Sequence, residues 1–179
     1  LSTRSGRIVL LEEVLDDAVK LAQKQIEEKN PALENKAEVA EAVGVGAVVF
    51  HDLKNDRLNN FDFNLEEVVR FEGETGPYVQ YSHARAMSIL RKAGNPELDA
   101  AGKYRLDDSE AWETLRLLAD FPATVLKAVE EYEPSVIAKY GIHLAKAFNR
   151  YYAHSRILED DDQKEARLAL VKSVAEVLK

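Results

Sequence analysis

Apolar residues recur at spacings of three and four along most of this chain, the period of helices with one buried stripe. Leu11, Val14, Leu15, Ala18, Ala22 and Ile26 form the first stripe. Acidic residues at its start, Glu12, Glu13, Asp16 and Asp17, precede Lys20 and Lys24, an order that suits the helix dipole. Asn30-Pro31 ends it, because a residue before proline is pushed out of helical geometry. A second helix is expected from about Lys36 to Val49, burying Val39, Ala40, Val43, Ala47 and Val48. Gly44 and Gly46 would let another element approach closely. They are no dinucleotide loop, since a preceding strand and a third glycine in register are missing. Phe50 to Phe63 reads as irregular, rich in the Asn and Asp that favour turns. Short strands are expected at Ile8 to Leu10 and at Leu58 to Phe63, with Phe61 and Phe63 on one side. Asn64 is the expected cap of a short helix carrying Leu65, Val68, Val69 and Phe71.

The stretch Phe71 to Gly94 reads as a tight turn feeding a helix. Gly73 and Gly76 permit turn geometry, Thr75 is a natural N-cap, and Pro77 sits where its missing N–H costs nothing. Ala93, Gly94 and Asn95-Pro96 form a stop. Val79, Ala86, Met87, Ile89 and Leu90 give this helix an apolar face, and Tyr78, Tyr81, Ser82 and Arg85 give it an adjoining polar one. Asn95 to Asp107 is a loop and a candidate linker. Asp107 and Glu110 resemble a capping box before a helix that buries Ala111, Trp112, Leu115, Leu118 and Ala119, which Pro122 should kink or end. Phe121, Val125, Ala128, Val129 and Tyr132 continue the stripe to Pro134. A long helix then presents Ile137, Tyr140, Leu144, Phe148 and Tyr151 on one face. Glu159 to Asp162 is expected as a solvated turn, and a last helix buries Leu168, Val171, Ala175 and Leu178. Short connections between amphipathic helices point to a mainly α fold, an antiparallel bundle.

The 179 residues allow one domain, or one and part of another. The absence of cysteine excludes disulfides, thiolate metal sites and a thiol nucleophile, and suits a reducing cytoplasm. No apolar run is long enough to span a bilayer. The formal net charge of −8 argues against generic binding to DNA or other nucleic acid, but a local basic patch would still suffice for one contact. The four histidines include no i, i+4 pair, so no metal is expected. His51-Asp52 lacks a nucleophile, Ser82 and Ser155 lack a triad pattern, and Glu66-Glu67 and Glu130-Glu131 are expected to face water. The long helix adds Lys139, Lys146 and Arg150, and Arg156 follows it; Asn149, Tyr152 and Arg156 share a face away from its apolar stripe. Aromatic rings and guanidinium planes beside cations suit base stacking and phosphate contact. Spacing alone equally allows the wet side of a bundle helix.

The run from Glu72 to Arg85, Glu-Gly-Glu-Thr-Gly-Pro-Tyr-Val-Gln-Tyr-Ser-His-Ala-Arg, resembles the segment joining the catalytic half of arginyl-tRNA synthetases to their helical anticodon-binding domain. Other blocks resemble the same family in order: Ser2-Thr3-Arg4 with Gly6, Gly44 to Ala47, Asp56-Arg57 to Phe63, Tyr132 to Ala138, Ala147 to Asn149, Tyr151 to His154, and Arg156 to Leu158. Class I synthetases carry a Lys-Met-Ser-Lys-Ser loop on the ATP phosphates. Leu1 and Ser2 match its Met and Ser, Thr3 stands at the second Lys, and Arg4 is the expected cation. The resemblance implies that 1–72 is the end of a catalytic half, and that 73–179 is a helical anticodon-binding domain truncated at its C-terminus. It implies an arginine–tRNA ligase, a cytoplasmic enzyme using arginine, ATP with magnesium, and the tRNA for arginine. Ser2, Thr3 and Arg4 would serve ATP. Tyr78, Tyr81, Arg85, Asn149, Arg150, Tyr152 and Arg156 would contact tRNA. The chain starts without Met and stops within a helical pattern, so it is expected to be a fragment unable to aminoacylate alone. The rival readings are a non-catalytic helical module that binds protein, and another class I synthetase with a related bundle.

Overall fold

A computed structural model describes residues 10–98 and 102–179. Among these residues the chain forms seven helices and no strand. They are α1 (Leu11–Lys29), α2 (Lys36–Lys54), α3 (Leu65–Val68), α4 (Gly76–Lys92), α5 (Ala111–Glu131), α6 (Ser135–His154) and α7 (Lys164–Leu178). Two compact units divide the chain, one ending at Pro77 and the other beginning at Tyr78.

In the first unit α1 and α2 lie against each other, with α3 on both. Their contact is close because of Gly44. A Cβ there would sit 2.6 Å from the Cα of Val19, so only glycine fits. Ala18, Ala22, Ile26, Ala40, Val43 and Ala47 fill the seam, as the stripes predict, but Leu11 is exposed. α2 runs to Lys54, taking in His51 and Asp52, which the sequence assigns to an irregular stretch. Leu58 to Phe63 forms no strand. Its alternation is real, since Phe61 and Phe63 both meet the His51 ring edge-on, at 5.2 and 5.6 Å. Among the described residues it has no neighbouring strand to pair with, and Asp56 turns the backbone by accepting the Leu58 N–H at 2.8 Å. Ile8 and Val9 lie outside the described residues, and Leu10 is extended backbone at the start of α1. Asn64 caps α3 as expected, accepting the Glu66 N–H at 3.0 Å, but that helix stops at Val68. The Thr75 hydroxyl donates to the Arg70 carbonyl at 2.6 Å and so ties the turn that precedes α4.

In the second unit α5, α6 and α7 form the bundle. Its core joins Ala86, Ile89 and Leu90 of α4 to Tyr140, Leu144, Phe148 and Tyr151 of α6 and to Leu168, Val171 and Val174 of α7. Burial of a residue such as Phe148 or Leu144 contributes roughly 2 kcal/mol. α4 ends as predicted: Gly94 takes φ +82°, and the Asn95 N–H reaches back to the Leu90 carbonyl at 2.8 Å. α5 and α6 are joined by only Tyr132, Glu133 and Pro134, so they run antiparallel. Burial pushes the Tyr140 phenol up to about 12, and its hydroxyl donates to the Leu117 carbonyl at 2.8 Å.

α5 departs most from expectation. Pro122 neither ends it nor shortens it below 21 residues. One lost hydrogen bond is borne where Leu117, Leu118 and Phe121 already pack on the core. The buried register is Ala111 and Thr114, leaving Trp112 68% exposed, and Leu115, Leu126 and Val129 are exposed as well. The start of α5 carries no side-chain cap from Asp107 and Glu110. Instead Asp108 accepts the Glu110 N–H at 3.0 Å and the Ser155 hydroxyl.

Candidate nucleic-acid interface

Within the second unit, helical spacing on α4 and α6 assembles one polar seam. Tyr78, Ser82 and Arg85 stand at i, i+4 and i+7 on α4, with Tyr81 one turn before Arg85; Asn149 and Tyr152 stand at i and i+3 on α6. The Arg85 guanidinium carbon lies 4.8 Å from the centre of the Tyr81 ring and 4.7 Å from that of Tyr152. Its Nη2 also approaches the Tyr81 hydroxyl at 3.3 Å, and its Nη1 donates to Asn149 Oδ1. Asn149 Nδ2 donates to the Ser82 hydroxyl at 2.7 Å, and Ser82, fully buried, donates to the Tyr78 carbonyl at 2.8 Å. Both tyrosines are part exposed, Tyr81 at 47% and Tyr152 at 43%.

Beside Tyr152 runs an open groove of about 600 Å³, lined among others by Ile89, Lys92, Arg156, Ile157 and Leu158. It offers an aromatic edge, an aliphatic floor and two cations. Arg156 is 3.9 Å from Glu159 and extends into solvent. Arg150 points elsewhere, pairing with Glu113 of α5 at 2.6 Å. The geometry therefore brings Tyr81, Arg85, Asn149 and Tyr152 together, ties Tyr78 in through its carbonyl, sets Arg156 along the groove and turns Arg150 aside. Ser2, Thr3 and Arg4 lie outside the described residues. No group of His, Cys, Asp or Glu among the described residues is arranged to hold a metal ion.

Sequence reading missed Arg167. This arginine is buried on α7, where it shares the apolar face with Val171 and Val174. It donates to the carbonyls of Ile157 at 3.1 Å and Glu159 at 2.7 Å, and to both carboxylate oxygens of Asp161 at 3.1 and 2.7 Å. The guanidinium in turn holds the Asp161 carboxyl below the usual carboxylate range. Glu159 to Asp162 is thus a fastened turn, and its first residue, Glu159, lines the groove with Ile157 and Leu158. Its signal was legible: position 167 falls four residues before Val171 and seven before Val174, so a charge was due inside the core.

Residues 79–179 match the family described as the DALR anticodon binding domain. The chain belongs to that family. The DALR region holds every residue of the seam except Tyr78, which immediately precedes it. Residues 1–65 match a second family, tRNA synthetases class I (R), catalytic domain. Across its whole length the chain is 79% identical to an arginine–tRNA ligase of Ligilactobacillus salivarius and 73% identical to that of Lactiplantibacillus plantarum, each match covering 32% of the relative. It therefore spans about a third of the length of the curated relatives it matches. The arginyl-tRNA synthetase of Thermus thermophilus superposes with a TM-score of 0.85 over 95% of this chain and 30% of that one, at 38% identity. The resemblance to arginyl-tRNA synthetases read from the sequence is borne out, as is the mainly α fold. Among the described residues no helix is long and apolar enough to cross a membrane.

Proposed function

We propose that this chain acts within an arginine–tRNA ligase, where its second unit binds the anticodon region of the tRNA for arginine through the seam of α4 and α6. The observation that carries this reading is the pair of part-exposed tyrosines, Tyr81 and Tyr152, on one guanidinium beside a groove with two cations. Unpaired bases stack on aromatic faces whatever their identity, and each such contact is worth ~1–3 kcal/mol. Arg156 and Lys92, which line the same groove, would neutralise phosphates of that strand, and Arg150 would do so on leaving Glu113. A protein of net charge −8 can bind RNA this way because the field at the contact patch, not the sum over the surface, attracts the strand.

The activity of the whole ligase is ATP-dependent attachment of arginine to that tRNA in the cytoplasm. Ser2, Thr3 and Arg4 would supply hydroxyl donors and a cation to the polyphosphate of ATP with its magnesium, stabilising charge as the adenylate forms. Two thirds of the curated relatives' length lies outside this chain, so arginylation by the chain alone is not expected.

Equilibrium binding to arginine-accepting tRNA and to an anticodon-swapped copy, at two salt concentrations, tests the reading. Preference for the native anticodon with steep loss of affinity in salt is expected. Equal binding of the two tRNAs would remove the anticodon assignment. Binding that ignores salt would favour a protein-binding module instead.

A further inference from the structure

We propose that Arg85 and Asn149 are positioning residues that hold the Tyr152 and Tyr81 rings ready to stack, and that neither contacts phosphate. This rests on the reading of the seam as an RNA-binding face.

The donor fork of Arg85 is turned inward. Nη1 is used by Asn149 and Nη2 approaches the Tyr81 hydroxyl, and rings stand on the guanidinium at 4.8 and 4.7 Å. A phosphate would find only the remaining N–H groups of a guanidinium already bonded at both Nη atoms and carrying two rings, whereas Arg156 is 86% exposed and reaches solvent. Asn149 is equally committed. Its oxygen accepts from Arg85, which can only donate, and its amide nitrogen donates to Ser82, whose own proton goes to the Tyr78 carbonyl. One polarity therefore runs through the chain of bonds and fixes the Asn149 amide in a single orientation. That amide sits one helical turn before Tyr152 and holds Arg85 under the Tyr152 ring.

Lone exposed tyrosines lose rotamer freedom when a base lands on them. Here the guanidinium has already restricted both rings, so part of the ordering cost is met before binding. Arginine is the residue for this task, since a planar fork can lie between rings and bond in its own plane, and an ammonium cannot.

The test is a double-mutant cycle on the 179-residue chain, with arginine-accepting tRNA as probe across a range of salt. Tyr152→Ala is expected to weaken binding about tenfold. Arg85→Ala should weaken it roughly three- to tenfold and leave the slope of log affinity against log salt unchanged. Arg85→Lys, which keeps the charge, should lose as much as Arg85→Ala. The losses should be less than multiplicative, the double variant falling below Tyr152→Ala alone only by the share that Arg85 holds in the Tyr81 ring. A direct phosphate contact gives the opposite set: a slope smaller by about 0.7, substantial rescue by lysine, and losses that multiply. Those outcomes would overturn the proposal and leave the anticodon reading standing. Unchanged affinity in Tyr152→Ala would instead remove the stacking reading and the proposal with it. Asn149→Ser provides a second variant at the same joint, with a loss matching Arg85→Ala expected. In the free chain, NMR of the tyrosine rings should show Tyr152 ordered in the wild type and mobile in Arg85→Lys; an equally ordered ring in both would also overturn it.

Discussion

Arg167 closes the turn between α6 and α7, and Arg85 bridges α4 and α6, so both arginines fasten separate stretches of the second unit. Their partners differ. Arg167 spends its fork on two carbonyls and a carboxylate and is buried. Arg85 spends part of its fork on one amide and a phenol, and leaves both flanking rings open to solvent. A guanidinium enclosed by oxygens with its charge neutralised has nothing left to offer a ligand. One flanked by aromatic rings keeps its charge and presents two π-faces, which is the chemistry of a strand-binding surface.

The largest effect should come from the enclosed site. Arg167→Met keeps the stem and deletes the fork, leaving the carbonyls of Ile157 and Glu159 without that donor and Asp161 without its counter-charge. A loss of about 3 kcal/mol is expected in denaturant unfolding. A change within a few tenths of a kcal/mol would mean that the turn is held by packing alone. The open site should behave in reverse. Tyr152→Ala should cost about tenfold in tRNA affinity, with a far smaller change in unfolding midpoint, because the ring is 43% exposed. A variant that loses stability as severely as Arg167→Met would erase the distinction between the two sites.

The contrast also marks what the sequence could reveal. The stripes of α1, α2, α6 and α7 were legible because each helix buries one face against neighbours of similar length. The run of Tyr81, Arg85, Asn149 and Tyr152 was legible as a chemical inventory, since the residue types and spacings put them on polar faces. Their mutual engagement was not, because periodicity within a helix carries no information about which two helices meet. Arg85 and Asn149 therefore read as open contacts when they are bonded to each other. α5 failed for a different reason. Apolar residues occupy most of its circumference, so beside Ala111, which is buried as expected, Trp112 and Leu115 competed with Thr114 for the buried register, and size favoured the wrong pair. Pro122 is a breaker by local sequence, and the packing of Leu117, Leu118 and Phe121 on the core is what keeps it inside α5. The Leu58 to Phe63 alternation was genuine, but a strand needs a partner that local sequence does not announce.

Acid should sharpen the comparison further. Arg167 lowers the Asp161 carboxyl below its ordinary 3.8, so the folded state binds that proton less readily than the unfolded chain. Stability from this pair is then fully present above the unfolded value and falls as pH drops from 3.8 through the lowered folded value. Asp161→Asn should flatten that part of the stability–pH curve and leave tRNA affinity at neutral pH nearly unchanged. An acid limb identical to the wild type would show that Asp161 carries no net linkage.

Arg150 stands between the two cases and should give the smallest effect. It is ion-paired with Glu113 at 2.6 Å, but both side chains are about half exposed, so water screens the pair. Arg150→Ala should change stability by less than about 0.5 kcal/mol. If the side chain leaves Glu113 for a phosphate, the same substitution should weaken tRNA binding equally for native and swapped anticodons and lower the salt slope by about 0.7. An unaltered slope would assign Arg150 to the bundle surface with Glu113, on the structural side of the comparison. A lowered slope would set Arg150 apart from Arg85, whose loss should reduce affinity and leave the slope alone, so affinity and slope read together separate a contacting arginine from a positioning one.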